Sequence, residues 1–261
     1  MPSGPPLITE DRGVESRAVV EELLTTELVA LGRFRCPVGD PLWGAENHLG
    51  EYPHVAFPGV PVRIALTRRA PVVTDPMLAV CYPPRARFHR EALTARGDDC
   101  LFAVLERELF EQVDPQPFQA LPTRSFLRLQ LVDDPVALEE LIVGMSGRPL
   151  PRTGRWGEPV KELLAARLGD KLTLAELGRE LGVSPYHLAR SFRRATGLPI
   201  HQYRLQLRLR TALLRLREDI DLCSLGLAVG FSTHSHFTDA FRAAFGLPPS
   251  AVRELLSARS R

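Results

Sequence analysis

Cysteine is scarce: the 261 residues contain four, at Cys36, Cys81, Cys100 and Cys223. They form no CxxC pair and no clustered ligand spacing, which argues against a cysteine-held metal centre. They read as reduced thiols in a cytoplasmic protein, with Cys36, Cys81 and Cys100 as small buried residues and redox sensing as the alternative. No stretch reaches about 18 apolar residues, so no segment is expected to span a membrane. The N-terminus lacks a charged start followed by an apolar run, so no secretory leader is expected. The first half also lacks an HxH pair. Its histidines are His48, His54 and His89, a spacing that speaks against metal-dependent oxygenase chemistry. No nucleophile elbow, phosphate loop or other catalytic constellation appears. No enzyme activity, cofactor or metal is expected.

What is present is unevenly spread. The formal net charge is only +2, yet residues 1–157 carry 17 Arg against 21 acids (−4), and residues 158–261 carry 16 Lys plus Arg against 10 acids (+6). A basic second half points to a polyanionic partner for that half alone. Eighteen of the 23 prolines precede residue 158, which favours strands and turns early and helices late. With 44% hydrophobic and 25% charged residues, two soluble globular domains are the natural division.

Residues 1–13 read as a loose tail, and 16–31 as either helix or strand. From Phe34 to Val132 the chain is cut into short runs. Val60–Leu66 alternates, Leu78–Tyr82 is a compact apolar run, and Ser125–Leu131 alternates. These predict the strands of an antiparallel barrel or sandwich. Asp134-Pro135 opens a helix to about Gly144, with Leu138, Leu141 and Ile142 on one face. Residues 146–157 read as a linker, since 144–157 hold four Gly and two Pro. Helices are predicted over Glu158–Leu168, Thr173–Leu181 with a Thr173/Glu176 capping box, Ser184–Thr196 stopped by Gly197, Pro199 to about Arg217, Leu222–Val229 and Thr233–Phe245.

The second half contains itself twice. Leu177, Gly178, Gly182 and Ser184 recur 48 residues later as Leu225, Gly226, Gly230 and Ser232. Phe192, Arg193, Gly197, Leu198, Pro199 and Arg204 recur 49 residues later as Phe241, Arg242, Gly246, Leu247, Pro248 and Arg253. Each copy is a short helix, a turn with a glycine free to take positive φ, a Ser or Thr cap, and a second helix. Apolar pairs four apart, Leu188 with Phe192 and Phe237 with Phe241, point that second helix into a core. This is the helix-turn-helix pattern, used in tandem. Between Glu180 and Glu218 there is no acid, and the interval holds Arg190, Arg193, Arg194, Arg204, Arg208, Arg210, Arg215 and Arg217. Such a stripe suits duplex phosphates; a solvated basic helix face is the alternative.

Leu225-Gly226-Leu227-Ala228-Val229-Gly230-Phe231-Ser232, Ser235-His236-Phe237, Ala240-Phe241-Arg242, Phe245-Gly246 and Pro248-Pro249 resemble the signature of AraC/XylS transcription regulators. The resemblance covers residues 158–256. It implies two helix-turn-helix units bridged by a linker helix, reading adjacent major grooves roughly 34 Å apart. Three residues depart from the pattern. Gly226 stands where alanine is usual, which should loosen that helix; Val252 where an aromatic is common; and Asp239 where a basic or polar residue often faces DNA. An acid there repels phosphate unless it accepts from a cytosine amino group.

The outward positions of the first recognition helix are Tyr186, His187, Ala189, Arg190, Arg193 and Arg194. Tyr186 and Arg190 are expected nearest the bases, Ala189 against a thymine methyl, and Arg193 and Arg194 on phosphates. In the second copy Thr233, His234, Ser235, Thr238 and Asp239 lie toward the groove, and Arg242 is expected on phosphate or in an ion pair. His234-Ser235-His236 does not suggest zinc, because residues two apart on a helix do not share a face.

The fold class expected is α+β in two domains: a cupin-like β-barrel with helices over 14–145 and an all-α double helix-turn-helix over 158–256. Phe34-Arg35-Cys36-Pro37, Phe57-Pro58, Thr74-Asp75-Pro76 and Gly97-Asp98 look similar to N-terminal domains of one AraC subgroup. The resemblance implies a bacterial transcription regulator, activator or repressor, with double-stranded DNA and RNA polymerase as partners. The barrel would hold a small-molecule effector, mediate homodimerisation, or house a metal-independent enzyme domain. A zinc-dependent alkylation-repair domain is rejected, since it needs four clustered cysteines.

Overall fold

The computed structural model of the chain describes residues 5–6, 16–113, 115–145 and 155–258. Most of the expected tail over 1–13, and residues 146–154 of the expected linker, lie outside them. The chain divides into two compact units. One comprises Met1–Ser125 with Val132–Pro149, the other Phe126–Leu131 with Leu150–Arg261.

Strand patterning builds the first unit. The undecided stretch 16–31 turns out to be β: β1 is Val19–Thr25 and β2 is Val29–Cys36. Then follow β3 (Glu46–His48), β4 (His54–Pro58), β5 (Val62–Leu66), β6 (Val72–Thr74), β7 (Leu78–Tyr82), β8 (Arg87–Ala92) and β9 (Asp98–Leu105). A short helix, α1 (Arg107–Val113), precedes β10 (Phe118–Ala120). All pairings are antiparallel, in a six-stranded sheet ordered β1-β2-β9-β4-β7-β10 and a four-stranded sheet ordered β3-β8-β5-β6.

β5 shows why the alternation was legible: Val62, Ile64 and Leu66 face inward while Arg63 and Ala65 are half-exposed. β7 is buried along its whole length, as its unbroken apolar run requires. Val62, Ile64, Leu66 and Phe88 of the smaller sheet pack with Val80 and Tyr82 of the larger. Trp43 and Ala56 pack against both this cluster and that of Phe34, Cys36, Phe102 and Val104. The result is the β-rich, barrel-like unit that the alternation predicted.

Ser125–Leu131 corrects the sequence reading. It is not a strand but the body of α2 (Thr123–Leu131), which buries Phe126, Leu129 and Gln130. The segment satisfies both periods. Apolar residues alternate, yet Phe126, Leu129 and Gln130 also fall at i, i+3 and i+4, and burial selects the helical face. The helix α1 was likewise unforeseen among the short runs. In contrast, α3 (Pro135–Val143) follows its prediction closely. Asp134 caps it by accepting from the Ala137 amide at 2.8 Å, Pro135 opens it, and Leu138, Leu141 and Ile142 are buried.

The second unit adds α4 (Gly157–Ala166), α5 (Leu174–Glu180), α6 (Pro185–Thr196), α7 (Ile200–Arg215), α8 (Leu222–Ala228), α9 (His234–Phe245) and α10 (Pro249–Ala258). The capping box at α5 forms: Thr173 accepts from the Glu176 amide, and the Glu176 carboxylate accepts from the Thr173 amide. The Thr173 amide and the Thr173 hydroxyl, both donating to the Glu176 carboxylate, hold that carboxyl below its usual range. The sequence reading missed α10, although Pro249 at its start and Val252 and Leu256 four apart carry a helical signal. Val252, where an aromatic is common, is fully buried.

Candidate nucleic-acid interface

The two helix pairs are built by the same local rules. In the first, α5 ends at a turn where Gly182 takes φ +65°, and Val183 donates back to the Gly178 carbonyl at 2.8 Å. Ser184 then caps α6 by accepting from the His187 amide, and Gly197 ends it in the left-handed conformation. In the second, Gly230 takes φ +96°, Phe231 donates to the Gly226 carbonyl at 2.9 Å, Thr233 caps α9 through the His236 amide, and Gly246 ends it. The repeat is therefore conformational as well as sequential.

Each second helix buries one face. Leu188, Phe192 and Ala195 anchor α6, with Phe192 edge-on to Tyr203 of α7 at 5.2 Å between ring centres. Phe237, Phe241 and Phe245 anchor α9 as a ladder of rings 5.7 and 4.6 Å apart.

The opposite face is what the sequence nominated. On α6, Tyr186 is 77% exposed; His187, Arg190, Arg193 and Arg194 are exposed and Ala189 is half-buried. Depressions flank the helix. Tyr186, Ala189, Arg193 and His201 line one; Trp156, His187 and Ser191 line the other. Arg190 and Arg194 border both, which places them on the crest of the ridge. On α9, Thr233, His234, Ser235, Asp239 and Arg242 are exposed and Thr238 is half-buried. The two histidines of His234-Ser235-His236 part as helix geometry requires. His234 faces the Thr238 hydroxyl at 3.4 Å, and His236 sits edge-on to Phe231. Arg242 makes no ion pair among the described residues.

The arginine stripe needs correction. Arg204 donates to the Leu172 carbonyl, and Arg208 to the carbonyls of Leu168 and Asp170. Arg210 is 2% exposed and lies over the Phe126 ring. Arg215 pairs with Glu218, and Arg217 donates to the Gln130 carbonyl. Five of the eight arginines thus work inside the unit; Arg190, Arg193 and Arg194 form the outward basic face. A count of charges could not separate them, because arginine stems bury easily while the head finds a carbonyl.

Gly226 also differs from expectation. A β-carbon there would stand 3.0 Å from the Phe237 ring. The glycine is not merely a weak helix former but the space into which that ring packs.

In the first unit, the three histidines scatter. His48 pairs with Glu46, His54 is buried on β4, and His89 is exposed on β8. Among the described residues, no group of three or more His, Cys, Asp or Glu could hold a metal ion. Cys36 and Cys81 are buried, Cys100 is half-buried and Cys223 exposed. No helix among the described residues is long and apolar enough to cross a membrane.

Residues 177–255 match the family described as a helix-turn-helix domain. The chain is 31% identical over 96 residues to the Msm operon regulatory protein of Streptococcus mutans, covering 36% of this chain and 34% of that one. It is 28% identical over 129 residues to the HTH-type transcriptional regulator ArgR of Pseudomonas aeruginosa, covering 47% and 39%. A solved AraC-type DNA-binding domain-containing transcriptional regulator from Chromobacterium violaceum is 28% identical, with TM-score 0.37, over 39% of this chain and 92% of that one. The chain spans only about a third to two fifths of the length of these two curated relatives. Residues 177–255 thus form a helix-turn-helix domain.

Proposed function

We propose that the chain is a sequence-specific transcription regulator that reads double-stranded DNA with α6 and α9. The observation that carries this reading is the pair of helices α6 and α9, each capped by a Ser or Thr, ended by a left-handed Gly, burying an apolar face and leaving a polar face outward. Tyr186 and Arg190 meet base edges, Ala189 a thymine methyl, and Arg193 and Arg194 the phosphates. Thr233, His234, Ser235, Thr238 and Asp239 face the second groove, with Arg242 on its phosphates. Asp239 makes the second unit the weaker reader unless a cytosine amino group meets it. The domains of this reading run 14–145 and 158–256 with a linker between, save that Phe126–Leu131 of the first span is part of the helical unit. The reading assigns the chain no reaction of its own; it places the protein in a bacterial cytoplasm beside RNA polymerase, with the β-rich unit as a homodimer contact. Selection of bound duplexes from a random pool by the full chain tests it. Enrichment of a two-part site is expected, with affinity falling steeply as salt rises. Salt-insensitive or absent binding would overturn the reading.

The β-rich unit is the proposed effector site. Between its sheets lies a cavity of about 80 Å³, lined by Phe34, Ile64, Val80, Phe88 and Phe102 with His54, Arg90 and Asp98 among them. The Arg90 guanidinium stacks on the rings of Phe34 and Phe88 at 4.6 and 5.2 Å and pairs with Asp98 at 3.6 Å. Burial holds the His54 ring neutral, at a pKa of about 4, against the pull of the Tyr52 carbonyl. The charges inside cancel, and adding an ion to so apolar a space is unfavourable. The effector is therefore read as small, largely apolar and uncharged. Thermal shift of the full chain with isobutanol and with isobutyrate discriminates: the alcohol should stabilise and the acid should not.

A further inference from the structure

Arg208 sits near the middle of α7, the helix that joins the two helix pairs. Its Nε donates to the Leu168 carbonyl at 2.9 Å and its Nη2 to the Asp170 carbonyl at 2.7 Å, both in the loop between α4 and α5. Its other side meets the second pair. A β-carbon on Gly230, in the turn between α8 and α9, would stand 2.5 Å from the guanidinium carbon. A planar guanidinium is thus held between the loop of one pair and the turn of the other.

A second contact joins the same two segments. A β-carbon on Gly169 would stand 3.3 Å from the Ala228 carbonyl at the end of α8. Beyond these close approaches, the substantial helix packing between the two halves runs through α7, which packs on α6, α8 and α9. Burial pushes the Arg208 side chain below its ordinary pKa, with the neighbouring Arg204 charge adding to the effect. Its position is nevertheless kept by two hydrogen bonds. Those bonds use the fork geometry that a lysine lacks. Arg204, one turn earlier, donates to Leu172 and so ties α7 to the first pair only. Arg253, its counterpart in the repeat, lies on α10. Arg208 has no counterpart among the ten repeated residues. It belongs to the joint, not to either copy.

We propose that Arg208 is a positioning residue that fixes the angle between the two helix-turn-helix pairs, and so sets the spacing of the two half-sites the protein accepts. This rests on the DNA-binding reading above. Two binding modules held rigidly gain avidity only when both fit their sites together. Each inserted base pair turns the second groove by about 35°, so a rigid joint penalises a wrong spacing where a loose one tolerates it.

The test compares full-length wild type, Arg208→Met, Arg208→Lys and Gly230→Ala. Arg208→Met keeps the apolar stem and removes both donors. Gly230→Ala leaves the arginine but intrudes on its seat, and also strains the turn of the second pair, since Gly230 takes φ +96°. Binding is measured to the selected duplex, to the same duplex with the half-site of the second pair scrambled, and to duplexes with one or two base pairs inserted between half-sites. For Arg208→Met and Gly230→Ala, a loss of roughly ten- to a hundredfold on the native duplex is expected. Affinity for the scrambled duplex should stay at the wild-type value, and the penalty for insertion should flatten. Arg208→Lys should fall between. A purely structural role would lower both duplexes in parallel, and that result overturns the proposal, as does an unchanged spacing profile.

A measurement without DNA separates this inference from the reading it rests on. Nitroxides on Cys223, which is exposed on α8, and on Ala175→Cys, exposed on α5, report the distance between pairs in a Cys100→Ser background. The distance distribution should be narrow with Arg208 and broad with Arg208→Met. Equal widths overturn the clamp even if DNA binding stands. A broadened distribution with no binding to any duplex by the wild type would sustain the clamp and remove the DNA reading.

Discussion

The α-carbon of Gly178 faces the carbonyl oxygen of Val183 so closely that a β-carbon would stand 2.7 Å from it. The Val183 amide also donates to the Gly178 carbonyl at 2.8 Å, so the turn folds back onto the helix that precedes it. At the equivalent position of the repeat, a β-carbon on Gly226 would instead meet a side chain, the Phe237 ring, at 3.0 Å. The two glycines have the same place in the pattern and different neighbours.

Gly178→Ala should therefore destabilise the helical unit by about 1–3 kcal/mol, since backbone has to move. That outweighs a helix-propensity gain of at most ~1 kcal/mol. Gly226→Ala should be the milder change, because a ring yields by a few tenths of an ångström more easily than a carbonyl. Urea unfolding followed by helical circular dichroism ranks them; equal stability of Gly178→Ala and wild type would contradict the geometry.

Arg190 and Arg194 share the crest of α6 but are assigned different roles. Arg190→Ala should lose roughly 1–3 kcal/mol and relax preference at one base pair. Arg194→Ala should weaken all duplexes alike and reduce the salt slope by about one. Competition binding against single-base variants of the selected site, at two salt concentrations, separates the two patterns.

His54 sets a pH dependence. Its folded pKa of about 4 lies below the ordinary 6.5, because burial disfavours the charged ring. Between those values the unfolded chain binds the proton and the folded chain does not. Stability should therefore be full above about 6.5 and fall as pH drops toward 4, by ~3 kcal/mol in all. His54→Gln should flatten that part of the stability curve measured by denaturant unfolding.

The thiols should react in order of exposure. Burial pushes Cys81 up to about 12 and leaves Cys36 enclosed as well, whereas Cys223 is exposed. At pH 8 a chromogenic disulfide should titrate Cys223 first and Cys100 more slowly, with Cys36 and Cys81 released only by denaturant. Prompt reaction of Cys81 would show that β7 opens in the native state.

The sequence alone determined the helix-turn-helix pairs, because their signals are local. Caps such as Thr173 and Ser184, stop glycines such as Gly197 and Gly246, and apolar pairs four apart all act within a few residues. It likewise determined β5 and β7, where one face or both had to be buried. Only tertiary structure decided what the same residues could do in more than one way. Ser125–Leu131 fits a strand and a helix equally until Phe126 and Leu129 find a core. Arginines that look alike in a string divide into an outward face and an inner set once carbonyls such as Leu168 come within reach. That sorting depends on distances across about 40 residues of chain, and no local period encodes it.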